Sequence, residues 1–467
     1  MKLLGVDVGT TSLKAVLFDE NGRILSSASV DYTLIASGDL VELEAETYWN
    51  IFQKALAQVC PDGLPDALAI DTQCETLILT DEDGTPLMNA IVWLDNRAKQ
   101  EAKEIEARFG RRQIYEMTGQ PEVTATWPAC KILWIKKHFP EIWGKTRKIF
   151  LLEDFLLYQL TGNFVTEKTL QSSSLYFNIN TGNWWQEMLD FIGIPLKYLP
   201  HIENSGTPIG SYGSCRIVTG AMDQVAGAIG AGIIDESIIS EMTGTTMVIF
   251  ANTNKIPPFQ ENSIIPCHYN FNGKYCLLLW TPTAGMALKW FKNNLCENFT
   301  FRELDALAET VPPGSDGLVF LPYLCGSTMP KYNPDVRGCF TGLTLEHTRG
   351  HFVRSILESV ACMLKQNLEY LDILPEEIRV MGGGAESPLW CKIKADITQT
   401  ELKTLKNKET ACLGSAILAG YGIGLFPSIE EASCRFAVAD TIFRPSGADT
   451  SAIFEQFCAA DQLIQGG

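Results

Sequence analysis

At 467 residues, 46% apolar and 20% charged, the chain has an ordinary globular composition but exceeds what one hydrophobic core usually serves, so two domains are expected. Its net charge of -18 argues against nucleic acid or an anionic membrane as partner, because either would need a basic face. No apolar run nears the ~20 residues of a membrane span, Asp7 breaks the short apolar start, and the 14 cysteines never form C-x-x-C. A cytoplasmic protein with reduced thiols follows, with neither a zinc ribbon nor a redox pair.

The chain opens on a predicted meander, with strands over residues 3–8, 13–18 and 23–32, a Gly9-Thr10-Thr11 turn, and Asn21-Gly22 as a hairpin signal. A helix over 45–60 and a strand over 67–71 follow, leading into Thr72-Gln73-Cys74-Glu75-Thr76. Residues 101–198 read as a mostly helical insertion or cap, rich in Trp and Tyr. A strand over 216–218 runs into Gly220-Ala221-Met222-Asp223-Gln224 and a helix of tiny residues suited to close packing. A second hairpin over 238–250 then repeats extended residues, Gly244-Thr245-Thr246 and extended residues, 235 positions after Gly9. Beyond it come an amphipathic helix over 351–371 with Phe352, Ile356, Val360, Leu364 and Leu368 on one stripe, a strand over 377–381 emptying into Gly382-Gly383-Gly384-Ala385, and helices over 389–398 and from Cys412. This is an α/β order in two related halves, divided near Asp235 into 1–235 and 236–467.

Each Gly-Thr-Thr turn reads as a phosphate grip: glycine is expected to take φ > 0, and backbone N–H groups and threonine hydroxyls converge on an anion. Asp7 ends a buried strand two residues before the first turn, where a cation such as ATP-bound Mg²⁺, held through water, would compensate it; a turn-capping acid is the bland alternative. Lys14 is placed to reach the same phosphates or simply solvent. Asp223, at a strand-to-helix junction, is the candidate base for phosphoryl transfer to an alcohol, against a helix N-cap. A Walker loop is not written, since Gly144-Lys145-Thr146 lacks a glycine at Phe139. A dinucleotide fingerprint at Gly382 and Gly384 meets Ser387 where its third small residue belongs. His347 and His351 are spaced for a metal, but Gly350 lies between them and no third ligand is near.

GVDVGTTSLK at Gly5, NAIVWLDNRA at Asn89, GAMDQVAGAIGAG at Gly220, EMTGTT at Glu241, FLPYLCGSTMPKYNPDVRGCFTGLT at Phe320, MGGGAESPLWCKIKADIT at Met381 and CLGSAILAG at Cys412 together resemble the FGGY family of carbohydrate kinases, of the actin and hexokinase superfamily. The resemblance covers nearly the whole chain. It implies two RNase-H-like domains with ATP, Mg²⁺ and a sugar or polyol in the cleft between them, and a homodimer is compatible with it. It assigns Asp7, Thr10 and Thr11, in the turn with Gly9, to metal and phosphates, Gly244, Thr245 and Thr246 to phosphate from the other half, and Gly382, Gly383, Gly384 and Ala385 to adenosine. It makes Asp223 the base, with Gln73, Cys74, Glu75, Trp93, Arg97, Asp223 and Gln224 around the acceptor. The 73–76 segment and Asp223-Gln224 resemble glycerol kinases, except that Cys74 replaces an Arg that contacts the polyol. Xylulokinases have Met-His at positions 74–75 and Asp-Asn at 223–224. The stretch from Phe320 resembles xylulokinases and related ketose kinases. A D-xylulose-like ketopentose is the first expectation, with glycerol, a tetritol, another ketose or a sugar acid as alternatives. A nucleotide-gated chaperone or sensor on the same scaffold, or an idle sugar-binding regulator, remain rivals; acceptor-dependent ATP turnover separates them.

Overall fold

The computed structural model describes residues 1–261, 264–329 and 332–465. In the first half, β1 (Lys2–Val8), β2 (Ser12–Asp19), β3 (Ile24–Asp31), β4 (Ala67–Thr72), β5 (Pro208–Tyr212) and β6 (Cys215–Val218) lie in the order β5-β6-β4-β1-β2-β3, and the short β7 (Ala221–Met222) pairs with β4. In the second half, β8 (Ile238–Thr243), β9 (Met247–Thr253), β10 (Cys267–Tyr269), β11 (Tyr275–Thr281), β12 (Glu377–Met381), β13 (Glu401–Leu405) and β14 (Ala439–Phe443) lie in the order β10-β11-β9-β8-β12-β13-β14. Each sheet is built around a central strand, β1 or β8, antiparallel to its hairpin partner on one side and parallel to a crossover strand, β4 or β12, on the other. The duplicated sequence pattern is thus a duplicated topology.

The first sheet is covered on both faces, which is why β1 and β4 read as nearly continuous apolar runs. The first helix, α1 (Ala45–Val59), packs Tyr48 and Phe52 with Leu4, Val6 and Ile70 on one side. The other side is covered by α2 (Asp223–Gly230) and, from the second half, the Thr410–Gly422 helix, through Ala226, Ile229, Leu413 and Ala416. The small residues there have a steric cause. A Cβ on Gly414 would stand 1.8 Å from the Ala226 carbonyl oxygen, and one on Gly5 1.7 Å from that of Cys412. Any side chain would force the two layers apart.

The region after residue 98 is largely helical, with Lys99–Phe109, Arg111–Thr118 and Pro128–His138 around a separate core. The long second-half helix spans Arg349–Tyr370 and buries Ile356, Val360, Leu364 and Leu368 as its periodicity predicts. It begins before Gly350, whose missing Cβ allows the Leu307 carbonyl oxygen to approach within 2.7 Å of that position. His351 serves its N-terminus, with Nδ1 on Thr348 and Nε2 3.0 Å from Asp316 Oδ2, while His347 Nδ1 accepts from the Thr344 amide. Both imidazoles thus have local partners, and both Nε2 atoms face Asp316, His347 its carbonyl and His351 its carboxylate. Among the described residues no helix is long and apolar enough to cross a membrane.

Candidate active site

At the first turn, parallel pairing of β1 and β4 sets Asp7 directly beside Asp71. Asp71 is fully buried; its Oδ2 accepts from Ser415 Oγ at 2.6 Å and its Oδ1 has no partner. Burial pushes both carboxyls above their usual range; the Asp7 charge raises the cost of ionising Asp71 further, while hydrogen bonding from Asp71 eases the ionisation of Asp7. Two neighbouring acids with an orphaned oxygen are a local deficit of positive charge. Asp71 was not singled out from the sequence, although the reasoning applied to Asp7, an acid ending a buried strand, fits it equally.

Lys14 lies opposite Asp7 in the β1–β2 hairpin, but its Nζ binds Glu409 Oε2 at 2.7 Å. This ion pair joins the first sheet to the second half. Neither Gly9 nor Gly244 has the positive φ that the turns were expected to need. Each turn is closed by a backbone bond, Gly9 N to Ser12 O at 3.0 Å and Gly244 N to Thr246 O at 2.9 Å. A Cβ on Gly244 would meet nothing within 4 Å, so glycine there leaves the backbone open to approach. Thr11, Gly244 and Thr245 are exposed; Thr10 Oγ1 accepts from Trp93 Nε1 at 3.0 Å.

A cavity of about 190 Å³ gathers Thr10, Gln73, Cys74, Glu75, Trp93, Asp223 and Gln224. Arg97 does not line it. Its guanidinium is held by Asp95 at 2.7 and 2.8 Å and by Glu42 at 2.5 Å, and lies 5.0 Å from the Trp134 ring centroid. Since Asp95 also accepts from the Val41 amide at 2.7 Å, Arg97 braces a loop. Asp223 is the first residue of α2, with Met222 in the N-cap position, and its Oδ1 accepts from the Gln224 amide at 2.8 Å. Burial, then the nearby Asp7 charge, holds the Asp223 carboxyl well above the usual range. Glu75 has φ 58°, a left-handed conformation costing a non-glycine residue roughly 1–3 kcal/mol. Its carbonyl and that of Val92 are held at 3.0 Å by the ammonium of Lys131, which is wholly buried. Burial brings the Glu75 carboxyl up to about 7, against the pull of Lys131. Cys74 is buried with its thiol pushed well up, a neutral wall.

Besides Trp127 and Met222, two second-half residues, His268 of β10 and Leu278 of β11, complete the cavity. No local motif marks either one; the sheet carries them there.

The second turn rests on a closed polar unit. Lys394, from the Pro388–Thr398 helix, meets Glu241 Oε2 at 2.6 Å and Thr243 Oγ1 at 2.9 Å, with Lys394 and Glu241 both fully buried. The amides of Ala284 and Met286 hold the Thr245 carbonyl at 3.1 Å. Gly382, with φ +73°, packs where a Cβ would stand 2.8 Å from the Thr243 carbonyl oxygen; a Cβ on Gly384 would stand 2.6 Å from Thr243 Cβ. The Gly382–Ala385 run is thus seated on the base of the second turn. Gly382 and Ala385, though not Gly383 or Gly384, line a cavity of about 540 Å³ with Pro388, Asn407, Lys408 and Thr410. Glu409, the partner of Lys14, falls between two of those residues in sequence. A further cavity of about 590 Å³, between Tyr115 and Tyr370, contains none of these groups.

Among the described residues no group of three or more His, Cys, Asp or Glu forms a closed metal site. Asp7 beside the half-satisfied Asp71 still fits a Mg²⁺ that arrives with phosphate oxygens and keeps several waters, since such an ion takes only one or two protein carboxylates.

The chain is 28% identical to the xylulose kinase of Staphylococcus epidermidis (strain ATCC 35984) over 99% of this chain and 96% of that one. It is 30% identical to the gluconokinase of Bacillus licheniformis over 92% and 89%. The crystal structure of Plasmodium falciparum glycerol kinase with ADP superposes with a TM-score of 0.91 at 25% identity, covering 99% of this chain and 97% of that one; the shared architecture is the two-domain actin- and hexokinase-like fold. The profile of the N-terminal domain of the FGGY family of carbohydrate kinases matches residues 2–232, and that of the C-terminal domain residues 243–423. The chain belongs to the FGGY family of carbohydrate kinases.

Proposed function

We propose that the protein transfers the terminal phosphoryl group of ATP to a primary hydroxyl of a sugar or polyol, with a D-xylulose-like ketopentose as first choice. The observation that carries this reading is the cavity bringing Asp223, Glu75, Gln73 and Gln224 together beside Thr10 of the first phosphate turn. Asp223 accepts the proton of the attacking hydroxyl; burial and the nearby Asp7 charge raise its affinity for that proton. Glu75, Gln73 and Gln224 hold acceptor hydroxyls, with Trp93 as an apolar wall. Thr10, Thr11, Gly244, Thr245 and Thr246 offer backbone amides and hydroxyls to phosphates, and the Gly382–Ala385 cavity suits adenosine. Mg²⁺ bound with ATP, held at Asp7 through water, would supply the positive charge missing around Asp7 and Asp71. A cytoplasmic location and a division near Asp235 belong to the same reading.

Cys74 offers no fixed donors for a small triol, so a larger sugar is the better fit; the xylulose kinase relative supports a ketopentose, and the gluconokinase and glycerol kinase matches keep those acceptors in play. An ADP-release screen over pentuloses, hexuloses, polyols and sugar acids tests this. A ketopentose is expected to give the highest kcat/KM and glycerol a low one; glycerol as the best acceptor would overturn the reading of Cys74, and no acceptor-dependent release would overturn the kinase itself.

A further inference from the structure

The acceptor cavity contains a group that the reaction scheme does not use. His268 reaches it from the second half, while the carboxylates and amides around it come from the first. The ring's protonation can be read from its neighbours. Ser172 Oγ donates its one proton to the Thr169 carbonyl at 2.6 Å, so its 3.2 Å contact with His268 Nδ1 needs the ring nitrogen as donor and the hydroxyl as acceptor. Burial lowers the affinity of this imidazole for a second proton, to a pKa of about 4, so it is neutral near pH 7. Nδ1 carries the hydrogen. Nε2 therefore presents a lone pair, and it has no hydrogen-bond partner among the described residues.

Glu75 and Asp223 add carboxyl groups and Gln73 and Gln224 side-chain amides, and no lysine or arginine is among the described lining residues. Arg97 is committed to Asp95 and Glu42, and Lys131 to two carbonyls. A hydroxyl entering this cavity finds a lone pair at His268 Nε2, whereas the charge of a carboxylate would find no lysine or arginine among the described lining residues to receive it.

We propose that His268 is a specificity residue whose Nε2 accepts a hydrogen bond from a hydroxyl of an uncharged acceptor, and that the site is thereby set against sugar acids. This rests on the kinase reading and narrows its acceptor to neutral polyhydroxy compounds. Because the residue belongs to the second sheet, acceptor recognition is complete only with both halves in place.

The test combines spectroscopy and kinetics on the full chain. With five histidines in the sequence, ¹⁵N-histidine NMR, assigned by loss of one signal in His268→Asn, reads the tautomer without any acceptor. The expected form is Nδ1–H; an Nε2–H or charged ring overturns the proposal. Kinetics use D-xylulose, glycerol and gluconate as acceptors. Asn at position 268 retains a donor towards Ser172 but removes the distal lone pair, so KM for the better uncharged acceptor should rise roughly tenfold with the KM for ATP unchanged. Ser172→Ala leaves the ring in place but frees its tautomer, and should raise the same KM by a smaller factor, which keeps the test decisive if the Asn variant folds poorly. Gluconate should be at least roughly a hundredfold poorer in kcat/KM than the better uncharged acceptor. Gluconate as the preferred acceptor, or unchanged acceptor KM in both variants, overturns this inference and leaves the kinase reading intact; no ADP release with any of the three overturns both.

Discussion

The two Gly-Thr-Thr hairpins share a topology but differ in how their charges are settled. In the second, Glu241 is neutralised inside the protein by Lys394, with Thr243 completing a closed unit beneath the turn. In the first, Asp7 lies beside Asp71, one oxygen of which has no partner, and the only lysine opposite, Lys14, is committed to Glu409. Two residues before the glycine stands Asp7 in one turn and Met242, which is exposed, in the other. The duplicated scaffold has thus diverged: one turn is internally balanced and can only offer dipoles, while the other waits for a cation from outside. Structural stability and ligand attraction compete for the same charges, and each half resolves that competition in the opposite direction.

Removing the waiting charge should have the largest effect. Asp7→Asn is expected to lower Mg²⁺-dependent turnover at least roughly a hundredfold while raising the melting temperature of the ligand-free protein, because a buried charge that opposes ionisation of Asp71 is removed. Steady-state assays with a Mg²⁺ titration and differential scanning fluorimetry read both quantities. Full activity in the variant would remove the asymmetry between the turns.

Opening the balanced turn should cost stability first. Lys394→Met strands the buried Glu241 and is expected to destabilise by roughly 3–5 kcal/mol, whereas Glu241→Gln combined with Lys394→Met should recover much of that loss. Urea denaturation compares the two. Equal losses in the single and double variants would mean that the pair is not the brace inferred here.

The first half should also carry the pH response. Glu153, Asp154 and Glu167 are buried there, with burial pushing Asp154 to about 8, Glu167 to about 7 and Glu153 well above its usual value. For acids whose folded-state pKa is raised, the stability contribution is fully present below the unfolded value near ~4 and is lost as pH rises through the folded value. The melting temperature of the ligand-free protein should therefore fall between pH 5 and pH 8. A flat or rising profile would contradict these shifts. The smallest effect is expected at the exposed rim of the second turn, where Thr245→Val keeps the volume and removes one hydroxyl, weakening the apparent affinity for ATP by several-fold; an unchanged nucleotide KM and kcat would exclude that hydroxyl from phosphate binding.

Much of this was legible locally. Gly-Thr-Thr between extended runs gave both hairpins, the Gly and Ala run at 220–232 gave the close helix packing that Gly414 and Ala226 now show, and the motif order gave the family. What could not be read depends on pairing over distance. Asp71 matters because β4 lies in parallel register with β1, 64 positions away. His268 matters because two sheets meet at one cavity. Lys394 carries no signal in the sequence, and Arg97 reads as a ligand-binding residue, until their carboxylate partners are placed. The φ of Gly9 and Gly244 shows the converse limit, where glycine is needed for open space and not for conformation.

The most direct test of the account is Asp223→Asn. Asparagine keeps the size of the side chain and a bond to the neighbouring amide, but it cannot take a proton at neutral pH. If Asp223 is the base in a cavity built to hold the acceptor, kcat should fall roughly 10²–10⁴-fold while acceptor binding, measured by calorimetry, persists. A variant with wild-type kcat would contradict the central claim and return Asp223 to the role of a helix-terminal acid.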